Sequence, residues 1–135
     1  MRKRNLYGAK KTNGYDSKAE AARAEQLKSL LDQGLIENLR EQVPFIISQD
    51  CEHGCKPIRY IADFVYIDNR KVHGKKGIEI VEDVKGRVLP IFNLKLKLLL
   101  CKYPHINFVI SKAIYTKKIL SGFTEELRKC PNKKR

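Results

Sequence analysis

Two β-rich runs decide the fold of this chain, IRYIADFVYID at residues 58–68 and GIEIVEDVK at residues 77–85. Both runs are rich in isoleucine, valine and aromatic residues, and a polar segment that contains Gly74 separates them. Such a pattern predicts an antiparallel hairpin. If the turn is centred on His73, Asp63 on the first strand lies opposite Asp83 on the second.

Acidic residues inside these apolar strands require an explanation. Aspartate is depleted in strands and is seldom buried without a partner. Two aspartates directly opposite each other, with Cβ atoms about 5 Å apart, repel. A divalent cation between Asp63 and Asp83 would turn this repulsion into coordination by hard oxygen ligands. The hairpin therefore predicts a metal site.

Lys85 adds a second feature to this patch. Side chains two positions apart on a strand point to the same face, so Lys85 shares a face with Asp83. A lysine beside a metal-bound water either remains cationic or, with a lowered pKa, acts as a base. Metal ligands and an amine in one patch are the requirements for hydrolysis of a phosphodiester. The alternative is a surface hairpin whose acids and lysine form cross-strand salt bridges, although apolar neighbours on both faces favour a buried central strand.

The remaining elements flank this hairpin. Capping and turn signals predict an α/β protein of order αβββαβ, a mixed sheet with helices beside it, in a single domain over residues 1–135. The predicted elements are a helix at 17–33 that starts with a capping box from Ser17 to Glu20, strands at 36–40 and 43–48, a loop at 49–57, a helix from Pro90 to about 103, a strand at 106–111 and a short C-terminal helix at 124–129.

Positive charge is concentrated towards the ends of the chain. The formal net charge is +13. Residues 1–85 carry 16 basic and 13 acidic side chains, whereas residues 86–135 carry 12 basic and 2 acidic ones. This excess predicts a polyanionic partner such as DNA. The candidate phosphate contacts lie in a basic arm (about 1–14), on the second helix and in a basic tail (about 130–135): Arg2, Lys3, Arg4, Lys10, Lys11, Lys97, Lys133, Lys134 and Arg135.

The sequence also limits location and cysteine chemistry. It has no apolar run of about 18 residues and no signal-peptide pattern, so we expect a cytoplasmic protein without a membrane span. Four cysteines in such a chain are expected to be reduced thiols. Cys51, His53 and Cys55 are close in sequence, but a structural zinc site normally needs four ligands. We therefore expect a plain loop rather than zinc.

Four motifs in order resemble the PD-(D/E)xK nuclease superfamily. They are Tyr15-Asp16-Ser17-Lys18-Ala19-Glu20, Glu41-Gln42-Val43-Pro44-Phe45, Ala62-Asp63-Phe64-Val65-Tyr66 and Glu82-Asp83-Val84-Lys85-Gly86. More narrowly, they resemble a family of small phage and prophage endonucleases of long unknown function. That family is similar to endonuclease I-type Holliday-junction resolvases and to transposase endonuclease subunits. The similarity covers roughly residues 5–110.

The resemblance implies roles for particular residues. Glu20 matches a first-helix acid that supports the metal, and Asp63 and Asp83 match the two central ligands of one or two Mg²⁺ or Mn²⁺ ions. The backbone carbonyl of Val84 is a further ligand, and Lys85 is the catalytic lysine. Ala62 replaces the superfamily's nominal proline.

Several assignments remain open at this stage. Glu82 or Asp83 is the main ligand, and Asp83 is favoured because it shares a face with Lys85. Glu20 supports the metal or only caps its helix. Gln42 supports the site or is an edge-strand amide. Lys95, rather than Lys97, is the better candidate to reach the scissile phosphate, because the two point to different faces of their helix.

The sequence thus predicts a metal-dependent DNA endonuclease in a bacterial or phage-infected cell. No sequence-reading element is recognisable, so we expect it to recognise branched DNA by structure. Two nearby cuts would need two sites, which predicts a homodimer. The alternative is a basic accessory protein that binds nucleic acid without catalysis.

Overall fold

A computed structural model describes residues 17–49 and 52–130. It is an α/β protein in which two helices flank one mixed five-stranded sheet. The predicted fold class is confirmed. In chain order the elements are α1 (Lys18–Asp32), β1 (Ile36–Ile46), β2 (Arg59–Asp68), β3 (Ile78–Val84), α2 (Pro90–Lys102), β4 (Asn107–Thr116) and β5 (Ile119–Arg128).

The strands lie in the sheet in the order in which they occur in the chain. β1, β2 and β3 form an antiparallel meander, and β4 and β5 form a second hairpin. β3 and β4 are parallel, so the chain must cross the sheet between them, and α2 makes this crossover. β3 therefore lies at the centre of the sheet.

The register of the central hairpin agrees with the sequence prediction. Phe64 pairs with Glu82 and Val65 pairs with Val81. Continued by one residue, this register puts Asp63 opposite Asp83. The predicted alignment is confirmed.

Each face of the sheet has its own hydrophobic cluster. Ala24 and Leu27 of α1 pack with Ile80 on one face. Phe92 and Leu99 of α2 pack with Val81 on the other. Because alternate residues of a strand face opposite sides of the sheet, successive β3 side chains point alternately towards α1 and towards α2.

Local signals account for both helix starts. The Ser17 hydroxyl accepts a hydrogen bond from the backbone N–H of Glu20 at 3.0 Å, which caps α1 as the capping box predicts. Pro90 occupies the first turn of α2, where its missing N–H is no loss.

Two predicted elements are wrong. The strands expected at 36–40 and 43–48 are one strand, β1, whose pairing with β2 shifts between Glu37 and Arg40. The short C-terminal helix expected at 124–129 is part of β5, which pairs antiparallel with β4. Pairing with β4 outweighs the helical propensity of this glutamate-rich segment, because strand formation depends on packing more than on local preference.

Candidate active site

The site lies where β2 and β3 separate. Their regular pairing ends at Phe64 and Glu82. Beyond these two residues, the backbone N–H of Asp63 donates to Asp83 Oδ1 at 2.9 Å, and the backbone N–H of Val84 donates to Asp63 Oδ2 at 2.9 Å. Carboxylates thus replace backbone carbonyls as acceptors, and this exchange holds Asp63 and Asp83 side by side.

Burial raises the pKa values of both acids, and a neighbouring carboxyl adds to the effect in each case. Burial is the main cause for Asp63, with a further contribution from the adjoining Glu20 carboxyl, and its pKa rises to about 7. For Asp83, which is 3% exposed, burial and then the charge of Asp63 raise the pKa to about 6. The charge of Lys85 lowers both pKa values but does not offset the effect of burial.

Lys85 lies beside Asp83. Its Nζ atom is 3.2 Å from Asp83 Oδ2 and 4.5 Å from the centre of the Phe92 ring. The Tyr60 hydroxyl donates a hydrogen bond to the same Asp83 oxygen. The ammonium group is therefore held by an ion pair and by a cation–π contact.

Gln42 connects Glu20 to the pair of aspartates. It falls opposite Asp63 between the paired positions of β1 and β2, and its φ of 52° is in the left-handed region. Its amide donates to Glu20 Oε1 at 3.0 Å and lies 3.5 Å from Asp63 Oδ1. The structure thus brings Glu20 and Gln42 to the aspartates, while Ser17 caps the helix.

Glu82 points to the opposite face of the sheet. The Arg23 guanidinium donates to both of its oxygens, at 2.7 and 2.8 Å. Tyr66 and Ser111 also donate to it, at 2.6 and 2.9 Å. Glu82 is fully buried and satisfied by these groups, so Asp83 is the acid that shares the site with Lys85.

A further cluster of ligand-type residues lies outside this site. Asp68, His73 and Glu125 each present one ligand atom within 4.8 Å of the others. Within the described ranges, 17–49 and 52–130, Glu20, Asp63 and Asp83 do not form such a compact triad. Arg70 bonds to both Asp68 and Glu125, however, and lowers the pKa of each. The two carboxylates of this cluster are therefore already paired with the Arg70 guanidinium.

A half-open cleft of about 370 Å³ adjoins the candidate site. It combines Asp83 with several cations, and Lys95 of α2 is among them, as the sequence suggested. Arg59, Arg87 and Tyr60 were missed, because nothing in their spacing distinguishes them from other strand or loop residues. The lining consists of Arg59, Tyr60, Ile61, Asp83, Lys85, Arg87, Leu89, Ile91, Phe92 and Lys95.

Lys97 lies on the other side of α2. It lines a separate groove of about 880 Å³ together with Lys112, Arg128 and Lys129. The other predicted phosphate contacts fall in segments 1–16 and 131–135, which lie outside the described residues. They are Arg2, Lys3, Arg4, Lys10, Lys11, Lys133, Lys134 and Arg135.

The cysteines differ from the expectation of uniformly reduced thiols. Cys55 is disulfide-bonded, so that prediction is wrong for this residue. Cys101 is a free thiol, and Cys51 lies outside the described residues. Among the described residues, no helix is both long and apolar enough to cross a bilayer.

Comparison with known proteins gives a family but no activity. A family model described as "Protein of unknown function (DUF1064)" matches residues 4–118. The chain belongs to this family. The matched span includes Glu20, Asp63, Asp83 and Lys85, which are the residues that the β2–β3 separation brings together with α1. No curated protein and no solved structure matches the chain.

Proposed function

We propose that this DUF1064 chain is a Mg²⁺- or Mn²⁺-dependent DNA endonuclease of the PD-(D/E)xK type. One observation carries the proposal. Asp63 and Asp83 are buried side by side at a break in the central hairpin, and Lys85 projects beside them. No fold requires that arrangement for stability, since two adjacent buried carboxylates repel each other.

The donor groups suit a hard divalent cation. Among the described residues, Asp63 and Asp83 interact with amide, hydroxyl and ammonium groups and, for Asp63, with the Glu20 carboxyl. Glu82 and Glu125 on the opposite face are instead neutralised by arginines. Carboxylate oxygens are the usual ligands of Mg²⁺ and Mn²⁺. We therefore assign Asp63 and Asp83 as ligands, with Glu20 and the Val84 carbonyl in support.

The chain's own groups would then position the reactants. A bound divalent ion supplies charge neutralisation and a water of lowered pKa. Lys85, fixed by Asp83 and the Phe92 ring, would orient the attacking water through its ammonium group. Lys95, Arg59 and Arg87 line the same cleft and would hold the phosphates on either side of the cut.

Positive charge around a small acidic centre suits a DNA substrate. Chain segment 86–135 carries 12 basic and 2 acidic residues. Such a surface attracts the phosphate backbone, while a metal offsets the repulsion of DNA by the acids. The endonuclease would act as a homodimer where two cuts are made.

Cleavage of DNA substrates tests the proposal. Purified protein is incubated with supercoiled, linear, flap and four-way-junction DNA in Mg²⁺ or in Mn²⁺. Wild type should produce 5′- or 3′-phosphate ends in at least one case, and Asp83→Asn should not. Glu79→Gln is the matched control, because Glu79 is an exposed acid on the same strand, 3.5 Å from Arg40. It should cut like wild type.

Measuring DNA binding beside cleavage distinguishes the nuclease from the alternative function. A non-catalytic accessory protein would bind these DNAs and cut none of them with either metal. That result would refute the nuclease proposal. Equal cleavage by wild type and Asp83→Asn would refute the assignment of the site.

A further inference from the structure

Three aliphatic side chains stand at the mouth of the cleft that holds Asp83 and Lys85. Ile61 on β2 is 54% exposed, and Leu89 and Ile91 at the start of α2 are 46% and 57% exposed. They therefore border the cleft from two different elements. Single exposed aliphatics are ordinary on a surface, but three around one functional cleft suggest a ligand.

The inner wall of the cleft is aromatic. Tyr60 and Phe92 are almost fully buried, and their ring centres are 6.4 Å apart. The cleft volume of about 370 Å³ is at the small end of the range for pockets that take small organic groups. The cleft, called the slot below, thus joins an aromatic inner wall and an aliphatic rim to the candidate metal ligand Asp83.

The same slot carries four cations. Arg59, Lys85, Arg87 and Lys95 line it. A phosphate alone would need the cations but not the aliphatic walls. A nucleotide needs both, because its phosphate is anionic and its base has an apolar face. A symmetric contact between α2 and the α2 of a second copy is also disfavoured, because α2 carries three lysines and no acid.

We propose that this slot binds one unpaired nucleobase next to the scissile phosphate. The inference rests on the proposed nuclease function and specifies its substrate class. Bases within a duplex are stacked and paired, and extruding one costs least where the base is already unpaired. Junctions, flaps and bulges would accordingly be preferred to continuous duplex.

Paired substrates test the slot. One is a continuous duplex, and the other has the same sequence with a single unpaired nucleotide. In a parallel sample of the second substrate, 2-aminopurine replaces the unpaired base. Wild type should cut the second substrate with a kcat/KM about tenfold higher, a factor typical of one stacked base. Ile91→Ser and Ile61→Ser should lose most of this preference. Ile119→Ser, at the start of β5 and 70% exposed, does not line the cleft and should keep it.

The outcomes separate the two proposals. Equal cleavage of both substrates by wild type would overturn the base slot and leave the nuclease intact. If nothing is cut, the nuclease proposal fails, and the base slot is judged by 2-aminopurine fluorescence. A fluorescence change with wild type and Ile119→Ser, but not with Ile91→Ser, supports the slot, and no change overturns it. An altered oligomeric state of Ile91→Ser with unchanged preference would also overturn it, because the rim would then be a contact between copies.

Discussion

Replacing Asp83 by asparagine should stabilise the metal-free protein. Asp83 is buried next to Asp63, and burial and that neighbour raise its pKa from 3.8 to about 6. Asparagine has nearly the same shape, and its carbonyl can still accept from the Asp63 N–H. Asp83→Asn therefore removes a buried charge while it keeps the bond that fixes the side chain.

The size of the effect follows from proton linkage. A carboxyl whose folded pKa is raised binds protons more tightly when folded, so the free energy of unfolding falls as pH rises from about 4 to about 6. A shift of about two pKa units corresponds to roughly 3 kcal/mol. This net shift already includes the attraction of Lys85, 3.2 Å away, which lowers the Asp83 pKa. We expect a net gain of about 1–3 kcal/mol above about pH 7, which vanishes below about pH 4.

Urea unfolding in EDTA, followed by far-UV circular dichroism, measures this gain. Glu79→Gln controls for the loss of one negative charge on β3 and should change the unfolding free energy by less than about 0.5 kcal/mol. The reasoning is refuted if Asp83→Asn is less stable than wild type at about pH 8, or if its gain persists unchanged at about pH 4. The first result would mean that the Asp83 carboxylate stabilises the fold, and the second that the gain does not come from the removal of a buried charge.

Further predictions concern the opposite face, the metal, the cap and the cleft. Glu82→Gln should lower the free energy of unfolding by about 3 kcal/mol in the same urea assay, because the buried Arg23 would lose one of its two anionic partners and keep only Glu125. Mn²⁺ affinity, measured by calorimetry, should rise from about pH 5 to about pH 8, because Asp63 and Asp83 with raised pKa values must lose their protons first; a flat profile would contradict this. Ser17→Ala should lower the unfolding free energy by about 1 kcal/mol through loss of the α1 cap, whereas Ser17→Asp should retain it. Lys95→Ala should reduce the slope of log affinity for DNA against log salt concentration by about 1, and an unchanged slope would remove Lys95 from the phosphate contacts.

The central hairpin was predictable because both of its strands carry a strong and regular apolar signal. Given a turn centred on His73, the alignment of Asp63 with Asp83 followed from counting alone, and the pairing of Phe64 with Glu82 agrees with it. The alternation of side chains along β3 also predicted that Asp83 and Glu82 lie on opposite faces of the sheet. Alternation is a local property, so sequence suffices to assign a face.

The C-terminal strand could not be predicted from helix propensity. Residues 124–129 contain two glutamates, a leucine and two basic residues, which favour a helix. In the structure Glu125 faces inward to Arg23, and Leu127 packs against the α1 face. A half-buried glutamate in a strand is explained here by a partner 102 positions away in sequence.

Tyr60 and the geometry of Gln42 could not be predicted either, although Gln42 itself was a candidate. Tyr60 reaches Asp83 because β2 and β3 separate just beyond Phe64, and Gln42 reaches Asp63 through a left-handed backbone. Both depend on irregularities of strand pairing, which a pattern of apolar residues does not encode. Sequence therefore identified the acids, the lysine and Gln42 as candidates, but not Tyr60 or the strand irregularities that hold these groups in place.

Mn²⁺ titration calorimetry near neutral pH tests most directly whether the paired aspartates form a metal centre. Wild type and Glu79→Gln should bind one or two ions with the same affinity, and Asp63→Asn should bind them far more weakly. Circular dichroism of each variant confirms that it is folded. If wild type binds no Mn²⁺, or if Asp63→Asn binds it as tightly as wild type, the two carboxylates are not a metal site.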